Sequence, residues 1–126
     1  MENTTNAPKI NSQRLFYGSC FALITTAFSF AIAAGILDQL KTELELTAGQ
    51  AGLITSMWFL GFPISMVIGG LIYHKVGGKT IMQFAFFAHG VGILMLIFSG
   101  NYYGLLLANL LIGLGNGCTE AACNPM

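Results

Sequence analysis

The sequence carries one carboxylate, Glu120, in a region that otherwise holds apolar, small and uncharged polar side chains. No Asp, Glu, Lys or Arg occurs between Thr80 and Thr119. A carboxylate that is removed from water and lacks a cationic partner tends to bind a proton. When it is ionised, its oxygens accept hydrogen bonds from hydroxyl groups. Glu120 is therefore a candidate for binding a polar solute, a proton or both.

Amide side chains recur around Glu120 at the spacing of one helix face. This polar stripe consists of Asn109, Gly113, Asn116, Glu120 and Asn124. At about 100° per residue, the five positions fall within an arc of about 80°. Such a stripe is costly against lipid, so it is predicted to face a bundle interior or a water-filled cavity. Two interpretations stay open, a polar cluster that only joins helices and a site for solute and protons.

A histidine lies in a second apolar stretch, FFAHGVG, at position 89. The simpler interpretation is a hydrogen bond to a neighbouring helix, and the alternative is a proton relay. With the stripe it completes the predicted substrate- and proton-binding residues: Glu120, Asn116, Asn124, Asn109 and His89.

The composition indicates a membrane protein. Hydrophobic residues make up 55% of the sequence and charged residues 8%, and the mean hydropathy is +0.72. A soluble domain carries about 25% charged residues. The sequence offers no nucleophile–base set, metal-ligand spacing, phosphate loop or basic patch, so we expect no enzyme, no cofactor, no metal and no nucleic-acid partner.

Four apolar runs, of which the first three carry no charged residue and the fourth only Glu120, are long enough to cross a bilayer as helices, which takes about 20 residues. They cover residues 15–37, 51–73, 80–100 and 104–126, after a polar tail at 1–14. The sequence therefore predicts an all-α integral membrane protein with four transmembrane helices.

Basic residues predict the orientation. Lys9 and Arg14 precede the first span, and Lys75 and Lys79 lie between the second and third spans. The other two connections contain a single basic residue, Lys41. Because positive residues favour the cytoplasmic side, the amino-terminal tail and the 74–79 connection are predicted to be cytoplasmic.

Other polar residues have simple interpretations. The hydroxyls of Thr25, Thr26 and Ser29 are expected to bond to their own backbone, or alternatively to a ligand. Trp58 lies in the outer half of the second span, where an interfacial anchor is a simpler interpretation than a sugar-stacking platform.

Small residues at four-residue spacing predict close helix packing. They occur on the second and fourth spans, as Gly61, Ser65 and Gly69, and as Gly113, Gly117 and Ala121.

The segment GLIYHKVGGK, residues 70–79, resembles the loop signature between the second and third helices of the major facilitator superfamily. Gly70, Lys75, Gly77 and Lys79 match the signature, and His74 stands where an acidic residue is expected. The resemblance implies a cytoplasmic gating loop that latches the two halves of a transporter.

The segment GLGNGCTEAACNP, residues 113–125, resembles the fourth helix of the fucose permease branch, whose members are sugar–proton symporters. In that branch a Glu precedes an Asn-Pro pair by four residues, as Glu120 does here. The resemblance implies that Glu120 contributes to sugar binding and proton coupling with an Asp near position 34. That position is Ala34, and Asp38 follows one turn later.

The resemblance also implies a twelve-helix fold in two halves, of which this chain supplies the first four helices. We therefore expect an amino-terminal fragment of a longer transporter in a bacterial cytoplasmic (inner) membrane. Its expected partners are the lipid bilayer, a small polar solute such as a sugar, protons, and the missing carboxy-terminal helices.

Two alternatives remain open at this point. A complete four-helix multidrug exporter acting as a dimer would have this length, but its essential first-helix Glu has no counterpart in residues 15–37. A non-transporting helical membrane subunit is the other alternative.

The orientation can be tested by cysteine labelling. In a variant whose native cysteines are replaced by serine, Lys79→Cys should react with a membrane-impermeant maleimide only from the cytoplasmic side, and Glu43→Cys only from the outside. The reverse pattern would overturn the orientation.

Overall fold

The computed structural model describes residues 10–124, which form five helices and contain no strand. The helices are α1 Ser12–Gly35, α2 Leu37–Glu43, α3 Ala48–Val76, α4 Gly78–Phe98 and α5 Tyr102–Cys123. Most of the predicted cytoplasmic tail (residues 1–9), together with Pro125 and Met126, lies outside the described residues.

Four helical segments are long and apolar enough to cross a membrane, which confirms the predicted fold class. The first comprises α1 and α2 together, from Ser12 to Glu43, and the others are α3, α4 and α5. The second span is three residues longer at each end than the predicted 51–73.

Short polar side chains fix where the helices begin. Asn11 and Asn101 each accept a hydrogen bond from a first-turn amide, in α1 and α5 respectively. Thr47 and Gln50 form a reciprocal capping box at the start of α3. These bonds satisfy amides that have no partner within the helix.

The two ends of the bundle differ in charge. Arg14 at the start of α1 and Lys79 at the start of α4 line one groove, so these starts lie side by side. We call this the basic end. At the opposite end, which we call the acidic end, Asp38, Glu43 and Glu45 lie in or next to α2.

The predicted gating loop is helical apart from one residue. Gly77 alone separates α3 from α4, with a φ of +79°, a region that favours glycine. Gly70, His74 and Lys75 belong to α3, and Lys79 belongs to α4. Gly70 falls within the predicted second span, whereas the predicted connection at His74, Lys75 and Lys79 is wrong because these residues are helical. Positive charges are favourable in the last turn of a helix, so α3 can continue through His74 and Lys75.

Glycines bring α3 and α5 into close contact, as the small-residue spacing predicted. A Cβ atom on Gly61 would lie 2.7 Å from the carbonyl oxygen of Leu110. A Cβ on Gly69 would lie 2.8 Å from the Cβ of Ala121, and one on Gly113 would overlap the backbone of α3. The two backbones approach so closely because no side chain stands between them.

The helix α5 occupies the centre of the bundle. It contacts α1, α3 and α4. In its most apolar stretch 67% of the residues are buried, against 17% in the first span. The polar residues Asn109, Asn116 and Thr119 of α5 are therefore buried in the protein.

Two alanine substitutions on α3 test the glycine contact. We expect Gly61→Ala to destabilise the protein by about 1–3 kcal/mol, because the new methyl group meets a backbone oxygen that cannot move aside. Gly70→Ala is the matched control, since nothing lies within 4 Å of its added Cβ. Thermal unfolding in detergent, followed by circular dichroism, measures both. An equal loss of stability in the two variants would contradict the close contact between α3 and α5.

Candidate functional site

The polar stripe of α5 is divided between two environments. Asn109 and Asn116 are buried, with 4% and 1% of their surfaces exposed, whereas Glu120 is half-buried and Asn124 is exposed. The prediction that the stripe faces the bundle interior therefore holds for its first part. Its last part lies at the basic end, near the end of the described helix.

Asn116 joins three helices. Its Oδ1 accepts a hydrogen bond from the Ser29 hydroxyl of α1 at 3.2 Å and contacts the Nε2 of His89 on α4. Its Nδ2 donates to the Thr26 carbonyl oxygen of α1 at 3.4 Å. Both the oxygen and the nitrogen of the amide thus have hydrogen-bond partners, as is usual for a buried polar group.

His89 lies against the backbone of α5. Its ring packs over Gly115, where a Cβ would lie 2.7 Å from Nδ1, so only glycine leaves room for the imidazole. Its Nδ1 is 3.0 Å from the carbonyl oxygen of Ala85 one turn earlier. The expected hydrogen bond between His89 and a neighbouring helix is confirmed.

The hydroxyls of α1 behave as the simpler interpretation predicted, with one addition. Thr25, Thr26 and Ser29 all donate to carbonyl oxygens of their own helix. The second contact of Ser29, with Asn116, was missed because it depends on how α1 packs against α5. Its signal in the sequence is a hydroxyl in the middle of an apolar span.

Asn109 lies beside an aromatic cluster. It donates to the Leu105 carbonyl oxygen at 3.0 Å and lines a cavity of about 10 Å³ with Trp58 and Phe30. The ring centroids of Trp58 and Phe30 are 4.6 Å apart, so the indole packs between α3 and α1. Its Nε1 is buried without a hydrogen-bond partner among residues 10–124.

Glu120 is paired only with an amide. Its Oε2 lies 3.5 Å from the Nδ2 of Asn124, and it forms no ion pair with any residue between 10 and 124. Counted from Tyr102 at 1.5 Å per residue, it lies about 27 Å along α5, close to the basic end. A half-buried, unpaired carboxylate next to an amide can bind hydroxyl groups or a proton.

The structure does not bring Asp38 to Glu120. Asp38 is exposed in the first turn of α2, after the break at Ile36, at the acidic end of the bundle. Ala34, at the expected Asp position, is also exposed. Within the described part of the chain, Glu120 therefore has no carboxylate partner.

The basic side chains of the gating segment are free to meet other groups. His74, Lys75 and Lys79 are exposed at the basic end, and none forms an ion pair with the described residues. The ring of His74 contacts the edge of Tyr73 at 5.8 Å. Gly78 leaves room for the Tyr73 ring, which would lie 3.0 Å from an added Cβ.

Four helices that are long and apolar enough to cross a membrane, packed around a polar stripe, indicate an integral membrane protein. A family model of the Major Facilitator Superfamily matches residues 19–126. The chain belongs to this superfamily.

Curated relatives agree with the predicted branch. The chain is 29% identical over 111 residues to the sialic acid transporter NanX of Escherichia coli, covering 88% of this chain and 27% of the relative. It is 29% identical over 113 residues to the L-fucose-proton symporter of Escherichia coli, covering 83% of this chain and 26% of the relative. The hexuronate transporter of Bacillus subtilis is 30% identical over 89 residues, covering 69% of this chain and 21% of the relative.

The resemblance to the fucose permease branch is thereby confirmed. The chain spans about a quarter of the length of these relatives. No solved structure matches it significantly.

The division of the stripe makes a prediction about stability. Asn116→Ala should destabilise the protein by about 1–3 kcal/mol, because it leaves buried groups on α1 and α4 without a partner. Asn124→Ala changes the same residue type on the same helix at an exposed position and should have little effect. Thermal unfolding of the two variants in detergent provides the comparison. If Asn124→Ala lost more stability than Asn116→Ala, the assignment of Asn116 to a buried and Asn124 to an exposed environment would be wrong.

Proposed function

We propose that this chain forms the first four helices of a secondary transporter that moves a sugar or a related small polar solute together with protons. Membership of the Major Facilitator Superfamily supports the transporter class. Relatives named for sialic acid, for L-fucose with protons and for hexuronate support the solute class. The remaining helices of a twelve-helix fold would supply the other half of the solute site.

The observation that carries this proposal is the half-buried Glu120 beside Asn124. The carboxylate can accept hydrogen bonds from sugar hydroxyls, and the amide offers both a donor and an acceptor. Because Glu120 has no ion pair among the described residues, a hydroxyl or a proton can take the free position. We assign direct solute contact to these two residues.

The buried amides have a supporting role in this proposal. Asn116 and His89 already bond to each other, so they hold α1 and α4 against α5 rather than offer free groups to a solute. Asn109, beside the small cavity at Trp58, has room for no more than a water-sized group.

Glu120 alone would link solute and proton. A protonated carboxyl group has lost part of its capacity to accept hydrogen bonds and has gained a donor. Proton uptake therefore changes which solute hydroxyls it can hold. This linkage does not need the first-helix Asp that Ala34 replaces.

The basic end would face the cytoplasm of a bacterial cell, with the amino terminus on the same side. There, the exposed Lys75 and Lys79 are positioned to bind acidic groups of the remaining helices. His74 could contribute a charge to this latch only when protonated, unlike the acidic residue of the family signature.

Glu120→Gln in the full transporter tests the function. The glutamine keeps the shape of the side chain but cannot gain or lose a proton. In membrane vesicles, proton-driven accumulation of the sugar should be abolished, whereas exchange of labelled for unlabelled sugar should be largely preserved. Accumulation with the normal pH dependence would contradict the proposal.

The matched control is Glu43→Gln, the same change at an exposed position on α2. It should leave both accumulation and exchange unchanged, because Glu43 lies at the opposite end of the bundle. Loss of both activities in Glu120→Gln alone would assign Glu120 to solute binding without coupling.

A further inference from the structure

The indole nitrogen of Trp58 is a buried hydrogen-bond donor without an acceptor. Trp58 lies on α3, and its ring packs against that of Phe30 on α1. Its Nε1 is covered by the protein and has no hydrogen-bond partner among residues 10–124. An indole N–H can only donate. Because buried donors in folded proteins nearly always have an acceptor, this one needs a partner from outside the described chain.

Asn109 on α5 supplies a complementary group. Its Nδ2 donates to the Leu105 carbonyl oxygen at 3.0 Å. This bond fixes the orientation of the amide, because the exchanged orientation would set Oδ1 against another acceptor. Within residues 10–124, Oδ1 accepts no hydrogen bond. Only 4% of the surface of Asn109 is exposed, so this free acceptor belongs to the bundle interior.

Both residues line one small cavity between α1, α3 and α5. Its volume is about 10 Å³, and Thr55 and Phe30 line it as well. This is about the volume that a single water molecule needs. The Thr55 hydroxyl donates to the Ala51 carbonyl oxygen at 3.4 Å and can still accept a hydrogen bond. Cavities that stay empty in proteins are apolar, whereas this one is lined by residues with an unused donor and an unused acceptor.

The two groups select the chemistry of the ligand. It must accept a hydrogen bond from the indole of Trp58 and donate one to the amide oxygen of Asn109. An ammonium or guanidinium group only donates, and a carboxylate only accepts, so none of these satisfies both residues. Water and hydroxyl groups do both. The volume of about 10 Å³ leaves no room for the carbon atom that carries a hydroxyl group.

We propose that this cavity binds one water molecule, which accepts a hydrogen bond from Nε1 of Trp58 and donates one to Oδ1 of Asn109. Its second hydrogen is donated to the hydroxyl of Thr55. The water then makes three hydrogen bonds, the usual number for a buried water in a protein.

The water joins α3 to α5 next to a point where their backbones already touch. Gly113, one turn after Asn109, leaves room for the backbone of Trp58. The water adds the side chain of Trp58 to this contact and so helps to hold the indole against Phe30 of α1. Three helices thereby meet at one water, in the half of the bundle nearer the acidic end. The site is independent of solute transport and of Glu120.

Nuclear magnetic resonance of the indole tests the proposal. Trp58 is the single tryptophan of the chain, so labelling with nitrogen-15 tryptophan gives one indole N–H signal. In lipid bilayers, this N–H should receive magnetisation from water. The indole signal should keep its width when a soluble paramagnetic gadolinium chelate is added, because a buried N–H is distant from the bulk solution.

Asn109→Leu removes the acceptor and replaces it with an apolar side chain of similar size. The transfer from water to the indole should be lost, and the indole proton should move to higher field, because the N–H loses its hydrogen bond. Asn124→Leu is the matched control, with the same change on the same side of the sequence pattern at an exposed position. It should leave the indole signal unchanged.

Three results would overturn the proposal: no transfer from water in the unaltered chain, broadening of the indole signal by the chelate, or transfer that persists in Asn109→Leu. An indole proton at unusually high field without transfer would show that the N–H faces the ring of Phe30 instead. The first two measurements use the unaltered chain and so decide the proposal even if Asn109→Leu does not fold. None of these outcomes affects the transport test of Glu120.

Discussion

The close approach of α3 and α5 is the contact on which the rest of the structure depends. Glycines at the crossing, Gly61 and Gly113 among them, let the two backbones touch, because no side chain separates them. This contact covers one side of α5, and α4 and α1 cover the others. The buried amide of Asn116 is thereby removed from lipid and needs hydrogen-bond partners inside the bundle. It finds them in His89 and Ser29.

Burial divides one regular sequence pattern into two kinds of chemistry. The spacing of Asn109, Asn116, Glu120 and Asn124 is that of a single helix face, yet the residues differ in what surrounds them. Deep in the bundle, amides and an imidazole satisfy each other. Toward the basic end, the carboxylate of Glu120 can accept hydrogen bonds beyond the one from Asn124. One stripe of α5 thus holds helices together in its buried part and presents a carboxylate in its half-buried part.

Much of the fold follows from local sequence, and much of the site does not. The number of spans and the small-residue contacts depend on residues close in sequence, and the structure confirms them. The pairing of His89 with Asn116 joins helices whose relative rotation no local pattern specifies. The sequence does not predict the contact of Trp58 with Phe30 of α1 for the same reason, since that contact depends on packing. In the gating segment, basic residues suit the last turn of a helix as well as a loop, so the sequence alone does not distinguish the two.

The connection at Gly77 has a mechanical consequence. Two membrane-length helices meet at one residue, so any change in the angle between them must be absorbed by very few backbone dihedrals. With α4 as an arm of about 31 Å at 1.5 Å per residue, a rotation of about 10° at this pivot displaces its far end by about 5 Å. The glycine contacts of α5 with both helices oppose such a rotation at mid-height. A rotation at Gly77 therefore displaces α4 little near the basic end and most at the acidic end, where α4 leads into α5. The contacts with α5 halfway along α4 oppose this displacement.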